Sequence, residues 1–88
     1  MAEWQVVLDR QPFDLYCASK TADRAQLRRA FDELEAHPLQ AGLAGSRDKT
    51  GRDLDVRVFG RFVLHYWDDF LVKELRVVRI ERLPRLHR

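Results

Sequence analysis

Hydrophobic and polar positions follow two rhythms along this chain, and the change of rhythm divides it. Trp4-Gln5-Val6-Val7-Leu8 is a short aromatic and β-branched run, the composition of a strand. Asp9-Arg10-Gln11-Pro12 ends it. Pro12 suits the first position of a short helix through Phe13–Ala18, because its missing N–H would go unpaired there anyway. From Thr21 to about Ala36 the period lengthens, and Leu27, Ala30, Phe31 and Leu34 fall on one helical stripe. Ser19 or Thr21 is placed to cap this helix, and Asp23 sets a carboxylate in its first turn. Pro38 disfavours helical geometry at His37, so the helix stops near Ala36. Residues 39–51 are rich in turn formers, with Gly42, Gly45, Ser46, Asp48, Thr50 and Gly51, and read as a loop.

From Arg52 the period becomes two. Leu54, Val56 and Val58 alternate with Asp53, Asp55 and Arg57, the pattern of a half-buried strand. Phe62, Leu64 and Tyr66 alternate with Arg61, Val63 and His65, and Gly60 between the two runs permits a turn or bulge. Asp68-Asp69 predicts a hairpin turn, and a last strand runs from about Leu71 to Glu81 before Pro84. In that strand Leu75 and Val77 share one parity while Val78 and Ile80 share the other. Either both faces are covered or a β-bulge shifts the parity. The first strand must join the same sheet to pair its backbone. The predicted fold class is α+β: one domain over residues 1–88, a mainly antiparallel four-stranded sheet with one or two N-terminal helices packed on one face.

Composition narrows the function classes. At 88 residues, 45% hydrophobic and 34% charged, the chain builds one small core, which excludes a two-domain enzyme or a barrel and argues against disorder. Cys17 has no cysteine to pair with and reads as a small core residue. There is no leader pattern and no apolar run of about 18 residues, so the expected location is cytoplasmic with no membrane association. His37, His65, His87 and Cys17 are scattered without ligand spacing, so neither metal nor cofactor is expected. No Ser-His-Asp arrangement is visible in the sequence.

Charge distribution says more than the net +2. From residue 76 onward there are five arginines (Arg76, Arg79, Arg82, Arg85 and Arg88) and one acid, Glu81, which makes +4 and leaves −2 for the rest. Such a separation suits an electropositive patch facing nucleic acid, for which Arg76, Arg79, Arg82 and Arg85 are the candidates, or an acidic protein segment. Spacing by three has no meaning on a strand of period two, so the regularity reads as chance. The odd-numbered positions Asp53, Asp55, Arg57, Arg61, Val63, His65 and Trp67 are expected to share the exposed sheet face. Arginine grips phosphate, histidine titrates near neutrality and tryptophan stacks on a base. That face thus suits a phosphate-bearing partner.

The stretch Arg57-Val58-Phe59-Gly60-Arg61-Phe62-Val63-Leu64-His65-Tyr66-Trp67-Asp68-Asp69, preceded by the exit His37-Pro38-Leu39 and Gly42-Leu43, resembles the RelE/ParE superfamily of bacterial toxins. The resemblance implies a toxin of a type II toxin–antitoxin system, neutralised by a cognate antitoxin that wraps it. One branch of that family is a ribosome-associated mRNA endoribonuclease and the other inhibits gyrase. In the nuclease branch, an arginine at the position of Arg61 holds the transition-state phosphate, with Arg57 and His65 as the assisting catalytic candidates and Arg82 or Arg79 matching the C-terminal arginine. Asp53 and Asp55 depart from the lysines of the nucleases, which leaves room for a diverged member. Without its partner the chain is expected as a monomer or homodimer. The alternative reading is a non-catalytic module that binds a protein or nucleic acid through the sheet face, the sheet edge or the C-terminal arginines.

Overall fold

A computed structural model describes residues 3–38 and 43–84. The chain runs β1 (Gln5–Leu8), α1 (Arg10–Ala18), α2 (Thr21–Ala36), β2 (Leu43–Arg47), β3 (Asp53–Phe59), β4 (Phe62–Asp69) and β5 (Glu74–Arg82). The five strands form one sheet in the order β1-β5-β4-β3-β2. Only β1 and β5 run parallel; the other neighbours are antiparallel. The α+β class and the helices on one face agree with the sequence pattern. The strand count rises from four to five, because Leu43–Arg47 lies within the expected loop. Its sequence LAGSR has no apolar alternation, so pairing with β3 rather than propensity makes it a strand.

The core lies between α2 and the sheet. Leu27, Ala30, Phe31 and Leu34 pack against Phe62, Leu64, Tyr66, Leu75, Val77 and Ile80. Each of these large side chains contributes roughly 1.5–3 kcal/mol by leaving water. On α1 the inward stripe is Pro12, Leu15, Tyr16 and Ser19, at helical spacing. Cys17 falls off that stripe and is exposed, not a core residue. Pro12 is the third residue of α1 rather than the first, a position whose N–H still has no helical partner. Lys20, not Ser19 or Thr21, occupies the N-cap of α2 and makes no side-chain cap. The Ser19 hydroxyl donates to the Leu15 carbonyl instead, at 2.6 Å.

Gln11 fixes α1 to the sheet. β1 stops opposite Val77, where the Asp9 N–H donates to the Val77 carbonyl. Beyond that point the outer edge of β5 has no strand beside it. The Gln11 amide takes the strand's place, donating to the Ile80 carbonyl at 3.0 Å and accepting from the Ile80 N–H at 2.9 Å.

Three local features set which residues share a face. Gly60 and Arg61 form a two-residue connection in which Gly60 has φ 61°, the conformation such tight hairpins place on glycine. Phe59 then lies opposite Phe62, so odd positions of β3 face even positions of β4. Between β4 and β5 the register shifts: His65 pairs with Arg79 but Tyr66 with Val77, leaving Val78 as the extra residue. This bulge explains the parity change and lets Val77 and Ile80 both enter the core. The β4–β5 turn comes later than expected, at Phe70–Lys73, with Asp68 and Asp69 still in the strand.

Candidate functional site

The hairpin connection overturns the expected exposed face. Arg57 lies opposite Leu64 and Asp55 opposite Tyr66, on the side the helices cover. Val56 and Val58 lie opposite His65 and Val63, on the open side. The odd positions of β3 therefore do not share a face with His65 and Trp67. Pattern alone missed this because a two-residue turn exchanges parity between the strands it joins.

The open face carries a connected polar cluster. His65 on β4 is buried, its side chain only 7% exposed, and both ring nitrogens are engaged. Nδ1 is 2.8 Å from the Ser46 hydroxyl on β2, and Nε2 is 2.5 Å from the Glu81 carboxylate on β5. The Arg79 guanidinium lies 3.3 and 3.5 Å from the same two nitrogens and 3.8 Å from Glu81. Two residues further along β4 and on the same face, Trp67 lies under the Arg52 guanidinium, which is 3.7 Å from the ring centroid, with Arg76 at 5.9 Å. A cation over an indole face is attracted by about 0.5–2 kcal/mol.

Beside Arg79 opens a cleft of about 400 Å³, lined by Asp9, Arg47, Lys49, Leu54 and Val78 among others. Its rim is the turn from β2 to β3. There the Asp48 carboxylate accepts from the Thr50 hydroxyl, the Thr50 N–H and the Arg52 N–H. The Thr50 hydroxyl does most to hold Asp48 below the usual carboxylate range; desolvation opposes it, and the Arg52 and Thr50 amides and the Arg52 charge add to the lowering. Arg47 is paired with Asp53 at 3.1 Å.

The C-terminal arginines separate. Arg76 lies opposite Trp67 and Arg79 opposite His65, so both are on the open face. The bulge at Val78 lets a spacing of three put these two on one face. Arg82 lies opposite Phe62 on the helix side. It reaches the Asp23 carboxylate at 3.4 Å and the Ser19 hydroxyl at 3.3 Å, which ties β5 to α2. Arg85 lies outside the described residues. Arg61 is also away from His65: it lines a small cleft with Ser19, Lys20, Asp23 and Arg82, and its carbonyl accepts from the Leu83 N–H. Arg57 sits beside the buried Tyr66 phenol. Burial raises the Tyr66 titration, and the Arg57 guanidinium partly opposes that.

The structure thus puts His65, Arg76 and Arg79 on the open face, with Arg79 against the ring and Arg76 paired with Glu74 beside Trp67, and leaves Arg57, Arg61 and Arg82 on the other side. Sequence reasoning missed Ser46, Glu81 and Arg52. They come from separate segments, and no spacing signal links a residue on β2 to one on β5. The Ser46–His65–Glu81 chain also corrects the reading that no serine–histidine–carboxylate arrangement exists. Such a row can relay a proton from a hydroxyl to the imidazole, and the guanidinium beside it can neutralise an anion. Among the described residues no three His, Cys, Asp or Glu side chains gather as a metal set.

No protein-family model and no curated protein matches this chain. A solved structure does: a chain of the archaeal RelE–RelB complex from Pyrococcus horikoshii OT3 superposes with a TM-score of 0.69. The two are 18% identical, and the match covers 98% of this chain and 100% of that one. The likeness therefore spans all the elements described above, and this chain has a RelE-like fold.

Proposed function

We propose that this chain is the toxin of a type II toxin–antitoxin pair, acts in the cytoplasm and cleaves RNA with the open face of its sheet. The observation that carries the reading is the His65 cluster: an imidazole hydrogen-bonded to a hydroxyl and a carboxylate, with a guanidinium against its ring. The fold shared with a chain of the RelE–RelB complex supports the antitoxin partner. Ribosome-bound messenger RNA is the substrate the sequence resemblance implies.

The chemistry follows from the groups present. Histidine takes the proton of a ribose 2′-hydroxyl as its oxygen bonds to the adjacent phosphorus. The bond from phosphorus to the 5′-oxygen breaks, and water protonates the leaving oxygen. The products are a 2′,3′-cyclic phosphate and a 5′-hydroxyl. Arg79 faces the charge that develops on the phosphoryl oxygens, and Trp67 with Arg52 and Arg76 offers a surface for a neighbouring base. Asp55 does not repel the phosphate here, because it lies on the helix side.

The test is cleavage of ribosome-bound message by the purified chain, with end-group analysis. His65→Ala is expected to lower the rate by about 10²–10⁴-fold, the range of general acid–base catalysis. Arg79→Ala should lower it by a similar order, and Arg61→Ala by less than about threefold, because Arg61 faces the helices. Full activity in Arg79→Ala, with loss in Arg61→Ala, would move the site to the other face and end this reading.

A second reading, a protein-binding module, is favoured by one observation. The turn residues Phe70, Leu71 and Val72 are all strongly exposed, Leu71 at 96%. Three consecutive apolar residues in water are unusual outside interaction surfaces.

A further inference from the structure

Resting on the RNA-cleaving reading, we propose that Glu81 is the positioning residue of the site: it holds His65 as the Nε2–H tautomer and leaves Nδ1, on the Ser46 side, as the proton acceptor. An ionised carboxylate only accepts hydrogen bonds. With Glu81 2.5 Å from Nε2, that nitrogen carries the hydrogen. In a neutral imidazole the other nitrogen then accepts. The group it accepts from is the Ser46 hydroxyl at 2.8 Å.

For the neutral ring, the described neighbours favour this tautomer. From β5, Arg79 and Glu81 face it. From β2, Ser46 does. From β3, the residue opposite is Val56, which has no polar side-chain group. Arg79 has no lone pair to accept from either nitrogen, so it cannot exchange roles with Glu81. Glu81 reaches the ring only because Val78 bulges, which puts residues 79 and 81 on the open face while Ile80 enters the core.

The arrangement assigns a place to the attacking group. A hydroxyl already occupies the hydrogen-bond position at Nδ1, and a substrate 2′-hydroxyl must take that position or pass its proton through Ser46. Arg79, 3.3 Å from Nδ1, borders the same spot, so the phosphate beside that hydroxyl meets the guanidinium. Orientation of this kind acts on the chemical step rather than on binding. For metal-ligating histidines, removing the outer hydrogen-bond partner costs about 10–100-fold, and a loss of that order is expected for the same kind of carboxylate contact here.

The test combines a spectrum with a rate. Nitrogen-15 spectra of the full chain, at a pH where the ring is neutral, are expected to show a protonated Nε2 and a bare Nδ1. Ser46→Ala should keep that tautomer, because Glu81 sets it. Glu81→Gln, whose amide can donate as well as accept, should mix the two tautomers. In the cleavage assay Glu81→Gln should lower kcat by about 10–100-fold with KM within about twofold. A wild-type ring protonated at Nδ1, or a Glu81→Gln variant with unchanged tautomer and kcat, overturns the proposal. Absence of cleavage by the wild type would instead end the RNA-cleaving reading, and the tautomer spectra would still decide the role of Glu81.

Discussion

Replacing Gln11 with methionine removes two hydrogen bonds while keeping the side chain's length and most of its packing. Both bonds go to the backbone of Ile80, whose residue is only 2% exposed. No strand lies beside β5 at this point, since β1 ends opposite Val77. The Ile80 N–H and C=O therefore lose their partners, and each stranded buried group costs about 1–1.5 kcal/mol at the lower end of the usual range. The expected loss is about 2–3 kcal/mol. A domain of this length holds roughly 5–10 kcal/mol in all, so the fold survives with a thin margin. For its size, that loss corresponds to a fall in Tm of about 8–24 °C. Gln11→Ala should cost slightly more, the difference being packing. Urea unfolding followed by far-ultraviolet circular dichroism gives the free energy, and hydrogen exchange at the Ile80 amide reports the edge directly. Because Arg79 and Glu81 flank Ile80 in the chain, RNA cleavage should weaken along with the edge. A loss below about 0.5 kcal/mol in Gln11→Met, or an Ile80 amide still slow to exchange, would show that the edge does not depend on Gln11.

Two further outcomes follow from the turn and from a half-buried acid. Gly60→Ala should destabilise by about 1–2 kcal/mol, the cost of the left-handed conformation that Gly60 holds, because the Gln26 amide that the new Cβ meets is a flexible end able to rotate away; an unchanged unfolding midpoint would contradict this. Burial, and after it the Asp55 carboxylate, raise the Asp68 carboxyl above its ordinary 3.8. Its favourable contribution is therefore fully present below the ordinary value and is lost as pH rises through the folded one. Asp68→Asn should accordingly stabilise the protein at about pH 7 and do little at about pH 3, measured by denaturant midpoints, and an equal effect at both would refute the assignment.

The sequence by itself determined the type of every element except β2, and most of the core. Leu27, Ala30, Phe31 and Leu34 mark α2 because a helix must bury one stripe, and Phe62, Leu64 and Tyr66 mark the inner face of β4 because a strand alternates. The conflict of parity in the last strand left a bulge as one of two explanations, and the structure has that bulge, at Val78. The RelE/ParE resemblance fits the fold that the structure has. What tertiary structure alone decided is which polar residues meet. Strand β2 has no hydrophobic period, so it exists only through pairing with β3. Which face Arg57 and Arg61 occupy depended on a two-residue turn, and which arginines join His65 depended on one extra residue in β5. A single-residue change of register moves every following side chain to the opposite face. Ser46, His65 and Glu81 lie on three strands, of which β2 adjoins neither β4 nor β5, and only the folded sheet makes them one site.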